Sequence, residues 1–191
     1  MNRASACSLF LVGFSGSGKT TVGKMLAHRC KIPFIDTDTQ IARRAGKSIK
    51  DIFAEHGESY FRKLESTVIR DLTTSKVRKI VALGGGAYQN RVNRQLIDRA
   101  GIIIYLSCSV RELYRRLSRH TDRPLLRAAQ KGGSEPRHVQ MHRIKKLLST
   151  RIHAYHMANI RVSTTGKTVK EIVVQIERKL KALDAARSGQ A

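Results

Sequence analysis

The stretch LFLVGFSGSGKTTV, Leu9 to Val22, decides the architecture. A short apolar run passes into a glycine-rich turn ending in Gly18-Lys19-Thr20, and a helical pattern follows at once. This order predicts a buried strand that delivers the chain into a phosphate-wrapping loop of the form Gly13-x-x-x-x-Gly18-Lys19-Thr20, the Walker A pattern. Gly13, Gly16 and Gly18 allow positive φ, so backbone N–H groups from Gly16 to Thr21, with that of Ser17 among them, can turn toward an anion. Lys19 adds a cation near the β and γ phosphates, and the Thr20 hydroxyl is a hard oxygen suited to Mg²⁺. The helix opening here aims its positive end at the same place.

Outward from this loop, strands and helices alternate. Pro33 to Ile35 reads as a strand ending in Asp36-Thr37-Asp38, with both carboxylates expected on one face of an extended segment. At the C-terminal edge of a parallel sheet, where ligands collect, the pair points to Mg²⁺ and substrate; an Asp here is also a good helix cap. Ser48-x-x-Asp51 opens a helix over Ile49 to His56, and a longer helix follows Gly57, with Phe61, Leu64, Val68, Ile69 and Leu72 as its buried stripe. Arg62 precedes Glu65 by one turn, so a carboxylate can brace it. Lys79 to Leu83 is a β-branched strand ending in Gly84-Gly85-Gly86, where the backbone itself should approach a ligand. Val92 to Ile97 is helical, Ile102 to Leu106 is a strand buried on both faces, and Ser109-x-x-Glu112 caps a helix through Leu117.

Residues 119–149 lose clear periodicity, carry Arg123-Pro124 and a basic segment His142 to Lys146, and are expected to form a mobile lid. Arg151 to Tyr155 resumes a helix, Ile160 to Val162 is the last strand, and Thr168-x-x-Glu171 caps a final helix through Leu183, leaving 184–191 as a frayed tail. The expected fold is a single α/β domain: a parallel sheet with helices on both faces, and with the phosphate loop, the Asp pair and the triple glycine at one edge.

Composition narrows the setting. The 191 residues suffice for a full core without disulfides or a structural metal, and Cys7, Cys30 and Cys108 form no ligand-spaced set. No stretch is long enough to span a bilayer, so no membrane partner and a cytoplasmic setting are expected. Lys and Arg number 37 against 14 Asp and Glu, a formal charge of +23 that draws in anions generally. The basic residues are dispersed and aromatics are 5%, which argues against specific nucleic-acid recognition but allows non-specific RNA binding at low salt.

Taken together, GFSGSGKTT, FIDTD, SIKDIF with HGESYFRKLE, ALGGGA, RPLL and RIHAY resemble the shikimate kinase family of P-loop small-molecule kinases, from about Leu9 to about Val174. The resemblance implies a three-layer P-loop kinase fold with a five-stranded parallel sheet and a lid. It implies transfer of the ATP γ-phosphoryl group to the 3-hydroxyl of shikimate, with Mg²⁺ held through Asp36. In that family's pattern Asp38 binds the shikimate hydroxyls and is the candidate base, Arg62 and Arg151 grip its carboxylate, and the Gly84 to Gly86 backbone holds it. Arg123 reaches the transferring phosphate and Arg116 lies against adenine. A monomer is expected. The lid is longer and more basic than in compact members, and Ser163 to Thr168 lacks the family's proline. Two other readings remain open: a related kinase of another hydroxylated acid such as gluconate, and a non-catalytic nucleotide- or RNA-binding relative.

Overall fold

The computed structural model describes residues 7–118 and 136–188. Strand β1, Ser8–Val12, is buried along its whole length, and its alternating side chains serve two separate cores. Leu9 and Leu11 pack with Ile102, Ile104 and Leu106 beneath Val22 and Leu26 on one face, while Phe10 and Val12 pack with Ile103 and Tyr105 on the other. A strand that must be apolar on both sides lies in the middle of a parallel sheet. All five strands pair parallel, in the order β2-β3-β1-β4-β5, where β2 is Phe34–Asp36, β3 Ile80–Ala82, β4 Gly101–Ser107 and β5 Ile160–Ser163.

Helices α1 (Lys19–Cys30) and α7 (Val169–Ser188) cover the first face, and the bidentate Arg29–Glu177 pair at 2.7 and 2.9 Å joins them. Helices α3 (Ile49–Thr74), α4 (Arg91–Ala100) and α6 (Arg137–His156) cover the second through Ile69, Ile97, Ala154 and Tyr155. The remaining helices, α2 (Thr37–Ala45) and α5 (Val110–Leu117), pack on α3 and α6 through two smaller apolar clusters. The expected three-layer α/β arrangement with five parallel strands is therefore present.

Local signals place most boundaries. Ser48 caps α3 by accepting from Asp51 N at 3.2 Å, and the helix bends at Gly57, whose φ of 75° and ψ of −179° break the helical run at the predicted point. Thr168 and Glu171 form a reciprocal capping box on α7, with bonds of 2.7 and 3.3 Å. At Ser109 only half of the box forms. Its Oγ accepts from Glu112 N, but Glu112 turns to Arg115 and Arg116.

Three expectations are corrected. Asp36 and Asp38 do not share a face of an extended segment: the strand ends at Asp36, whose side chain caps α2 by accepting from Asp38 N at 3.1 Å, and Thr37 is already helical. The cap competes with strand continuation, and Asp36 satisfies a donor that an extended Asp38 would leave unpaired. Helix α6 begins at Arg137, well before Arg151, so the basic segment His142 to Lys146 is helical. Its apolar positions are split between two clusters, Ile144 on Phe14, Leu113 and Leu117, and Ala154 with Tyr155 on the sheet, which blurs a single stripe. Helix α7 continues to Ser188 instead of fraying after Leu183. The expected lid residues 119–135 and the last residues 189–191 lie outside the described residues.

Candidate active site

The phosphate loop runs from the C-terminal end of β1 into α1. Gly13, Gly16 and Gly18 take φ of 148°, 82° and 97°, a region that L side chains rarely enter. Gly18 is the N-cap of α1, no side chain among the described residues caps it and no acidic residue stands in the first turn. The first N–H groups of the helix are thus left for an external anion. Ser17 is turned inward, its side chain fully buried and its N–H donating to Phe14 O at 3.1 Å, so it shapes the loop. Lys19 Nζ bridges the loop by donating to Gly13 O at 2.9 Å and Phe14 O at 3.1 Å.

One turn into α1, Thr20 Oγ1 donates to Asp36 Oδ2 at 2.8 Å. Strand β2 thereby brings its terminal carboxylate to the loop across the one intervening strand, β3. Two hard oxygens at hydrogen-bond separation fit a Mg²⁺ ion, which takes few protein ligands and fills the rest of its sphere with water and phosphate oxygens. No group of three or more His, Cys, Asp or Glu with metal-binding geometry occurs among the described residues, so a dedicated protein cage is not the arrangement here.

The triple glycine explains the other half of the site. A Cβ on Gly84 would stand 2.7 Å from Asp38 Oδ1, one on Gly85 3.0 Å from Arg151 Nη1, and one on Gly86 3.0 Å from both terminal nitrogens of Arg62. Each glycine is therefore the contact surface for a different charged side chain, and any larger residue would displace that side chain. Thr37, fully buried, ties the start of α2 to the same loop by accepting from Gly84 N at 2.8 Å and donating to Ala82 O at 3.3 Å. Sequence reasoning missed Thr37, because its partners are 45 and 47 residues away.

Arg62 is held from two sides: Nε and Nη2 donate to Glu58 Oε1 at 3.1 and 3.0 Å, and Nη1 donates to Glu65 Oε2 at 2.8 Å. Glu65 was expected as its brace; Glu58, one turn earlier, was not, although its i,i+4 spacing to Arg62 was available. Glu65 is 1% exposed, and burial raises its carboxyl above the ordinary range against the opposing pull of Arg62. Its second oxygen, Oε1, has no hydrogen-bond partner among the described residues and lies 3.1 Å from the Cβ position of Gly84, so this acceptor faces the glycine loop. Across the loop, the Arg151 guanidinium sits 5.5 Å over the Phe14 ring, a cation–π contact that ties α6 to the phosphate loop.

Arg116 closes the opposite side of α1. Its Nε donates to Glu112 at 2.8 Å, Nη2 to Thr164 O at 2.8 Å, and Nη1 to Gly16 O and Ser17 O at 3.4 Å. Hydrogen bonds from Arg115 first, then Arg116, hold the Glu112 carboxyl down at about 2. Arg116 shares with Lys167, Val169 and Ile172 a cavity of about 330 Å³ whose other wall is the stretch from Gly16 to Val22. A guanidinium together with the aliphatic side chains of Val22, Val169 and Ile172, contiguous with a phosphate loop, could receive a nucleobase. A larger cavity of about 470 Å³ lies between α2 and α3, on Arg43, Arg44 and Asp71, away from the loop. Arg123 lies outside the described residues.

Gly16 to Thr21, Asp36, Asp38, Arg62, Gly84 to Gly86, Arg116 and Arg151 thus surround one edge of the sheet. A family profile described as shikimate kinase matches residues 15–181. The shikimate kinase of Geobacter metallireducens is 39% identical over 173 residues, covering 91% of each chain. That of Chlorobium phaeobacteroides is 42% identical over 174 residues, covering 89% of this chain and 90% of its own. Among solved structures, the shikimate kinase of Acinetobacter baumannii in complex with shikimate superimposes with a TM-score of 0.83 at 30% identity, over 94% of this chain and 95% of that one. A gluconokinase from Sinorhizobium meliloti, 20% identical with a TM-score of 0.58, shares the fold. With the profile spanning residues 15–181 and relatives near 40% identity matched over about nine-tenths of both chains, this ATP-dependent small-molecule kinase belongs to the shikimate kinase family.

Proposed function

We propose that the chain transfers the γ-phosphoryl group of ATP to the 3-hydroxyl of shikimate, giving shikimate 3-phosphate and ADP. The observation that carries the reading is the set of three side chains seated on the triple glycine. Asp38, Arg151 and Arg62 stand at 2.7, 3.0 and 3.0 Å from the three missing Cβ positions, beside the phosphate loop. Two guanidinium groups make a fork for a planar carboxylate, and a carboxylate between them and the phosphates can receive a hydroxyl proton.

In the reaction, the substrate hydroxyl oxygen forms a bond to the γ-phosphorus as the bond to the ADP oxygen breaks, and the hydroxyl proton passes to Asp38. Phosphoryl transfer asks the protein mainly for alignment and charge neutralisation. Lys19 exchanges its loop carbonyls for phosphate oxygens, and the uncapped start of α1 binds the same oxygens. Arg116 and Lys167 border the base, and Arg123 follows the family pattern in reaching the transferring phosphate. Thr20 and Asp36 would hold Mg²⁺, Asp36 through water, and the ion supplies charge neutralisation on the β and γ phosphates when bound. The proposed enzyme is a cytoplasmic monomer; separately, among the described residues no helix is long and apolar enough to cross a membrane.

An assay of ADP release with MgATP tests the reading: shikimate should be phosphorylated and gluconate should not. Turnover of gluconate with none of shikimate would replace it by the other kinase reading. ATP binding without turnover of either would point to a non-catalytic relative.

A further inference from the structure

We infer that Tyr155 is a positioning residue of the acceptor site, whose phenol aims the Gly86 N–H at the substrate by fixing the carbonyl of Gly85. The inference rests on the shikimate kinase reading and extends it to a residue buried behind the site.

The three glycine carbonyls are each tied into the protein, but not by the same means. Gly84 O accepts from Ala87 N at 3.1 Å and Gly86 O from Gln89 N at 3.0 Å, both within the local turn. The middle carbonyl has no local partner. Gly85 O accepts instead from Tyr155 Oη at 2.5 Å, across 70 residues of sequence. In a trans peptide the C=O of Gly85 and the N–H of Gly86 point in opposite directions, so whatever holds the carbonyl aims the N–H. Because three successive glycines put no Cβ restraint on this peptide plane, a distant hydrogen bond decides its orientation.

Tyr155 is well placed to hold it. It is 1% exposed, and its ring stacks on Tyr105 with centroids 5.1 Å apart. Tyr105 in turn pairs in register with Val12, the last residue before the phosphate loop. One turn earlier on the same helix, Arg151 approaches the Cβ position of Gly85 to 3.0 Å, and its carbonyl accepts from Gln89 Nε2 at 3.2 Å. Helix α6 is thus tied to the loop at Gly85 and at Gln89, and a Cβ on the glycine that faces Arg151 would also lie 3.7 Å from Ser15 N of the phosphate loop. Burial pushes the Tyr155 phenol up to about 12, so it remains a donor throughout the working pH range.

The test compares the full-length wild type with Tyr155→Phe, which keeps the buried ring and removes only the hydroxyl. KM for shikimate should rise about tenfold, equivalent to about 1.4 kcal/mol, while KM for ATP stays within about twofold. The Gly86 amide resonance should move in the substrate-free protein while that of Gly23 stays in place, a readout that holds whatever the acceptor proves to be. Parallel loss of affinity for both substrates, or no change in either KM with an unmoved Gly86 resonance, overturns the assignment. If the phenylalanine variant fails to fold, a polyfluorinated tyrosine at the same position retains the ring and loses its proton within the assay range. KM for shikimate should then climb with pH in that protein alone, and a flat profile overturns the assignment.

Discussion

Asp38 and Arg62 face the same glycine loop, and the proposed reaction gives them separable tasks. Asp38 Oδ1 is packed against Gly84, and converting it to an amide keeps the shape while removing the proton acceptor. We expect Asp38→Asn to lower kcat by about 10²- to 10⁴-fold, the usual contribution of a general base, with ATP affinity nearly unchanged by calorimetry. A variant that retained most of kcat would remove Asp38 from proton transfer. Arg62 is different: its fork engages Glu58 through two nitrogens and Glu65 through the third. Lysine retains the charge but cannot make this pattern, and a charged hydrogen bond is worth about 1.5–3 kcal/mol. Arg62→Lys should therefore raise KM for shikimate roughly ten- to a hundredfold and leave KM for ATP within about threefold in steady-state kinetics. Equal KM values for wild type and variant would show that Arg62 does not grip the acceptor.

Helix α5 brings two contacts together, since Glu112 both pairs with Arg115 at 2.6 Å and anchors Arg116 beside the proposed nucleobase cavity at 2.8 Å. Its folded-state carboxyl titrates at about 2, below the ordinary 4.5, so its stabilising contribution is present above 4.5 and is lost as pH falls toward 2. Glu112→Gln should lower the melting temperature at pH 7 by about 2–4 °C, the shift expected for ~1 kcal/mol in a chain of this size. The gap from wild type should close as pH drops below 4.5, and KM for ATP should rise at pH 7 because Arg116 is released. A gap independent of pH would assign the loss to packing. At this scale the sequence was most legible where partners are close along the chain. The Walker pattern, the Ser48 and Thr168 caps and the Arg62–Glu65 brace all depend on spacings of a few residues. What escaped it depends on contacts across the fold: Thr37 with Ala82 and Gly84, and Tyr155 with Gly85. The start of α6 was hidden for a related reason, because its apolar residues face two clusters and basic residues fill the gaps between them.

Across the whole molecule, the +23 charge sets two effects against each other. Dispersed like charges repel within the compact state, and the second-layer helix α6 carries Arg137, Arg143, Lys145, Lys146 and Arg151 with no Asp or Glu. The same field attracts anions toward the sheet edge where Lys19, Arg62, Arg116 and Arg151 gather, and both proposed substrates are anionic. Added salt screens both, since the Debye length falls from about 30 Å at 0.01 M to about 8 Å at 0.15 M. Raising KCl across that range should increase the melting temperature, by relieving repulsion, while lowering kcat/KM for MgATP and shikimate by several-fold through slower encounter. Any non-specific RNA binding at low salt should disappear over the same interval, because it would rest on released counterions without base-stacking platforms. The opposite signs of the two salt responses are the diagnostic feature. A kcat/KM that holds constant while stability rises would mean that the charge does not steer substrates and that the local clamp residues account for binding on their own.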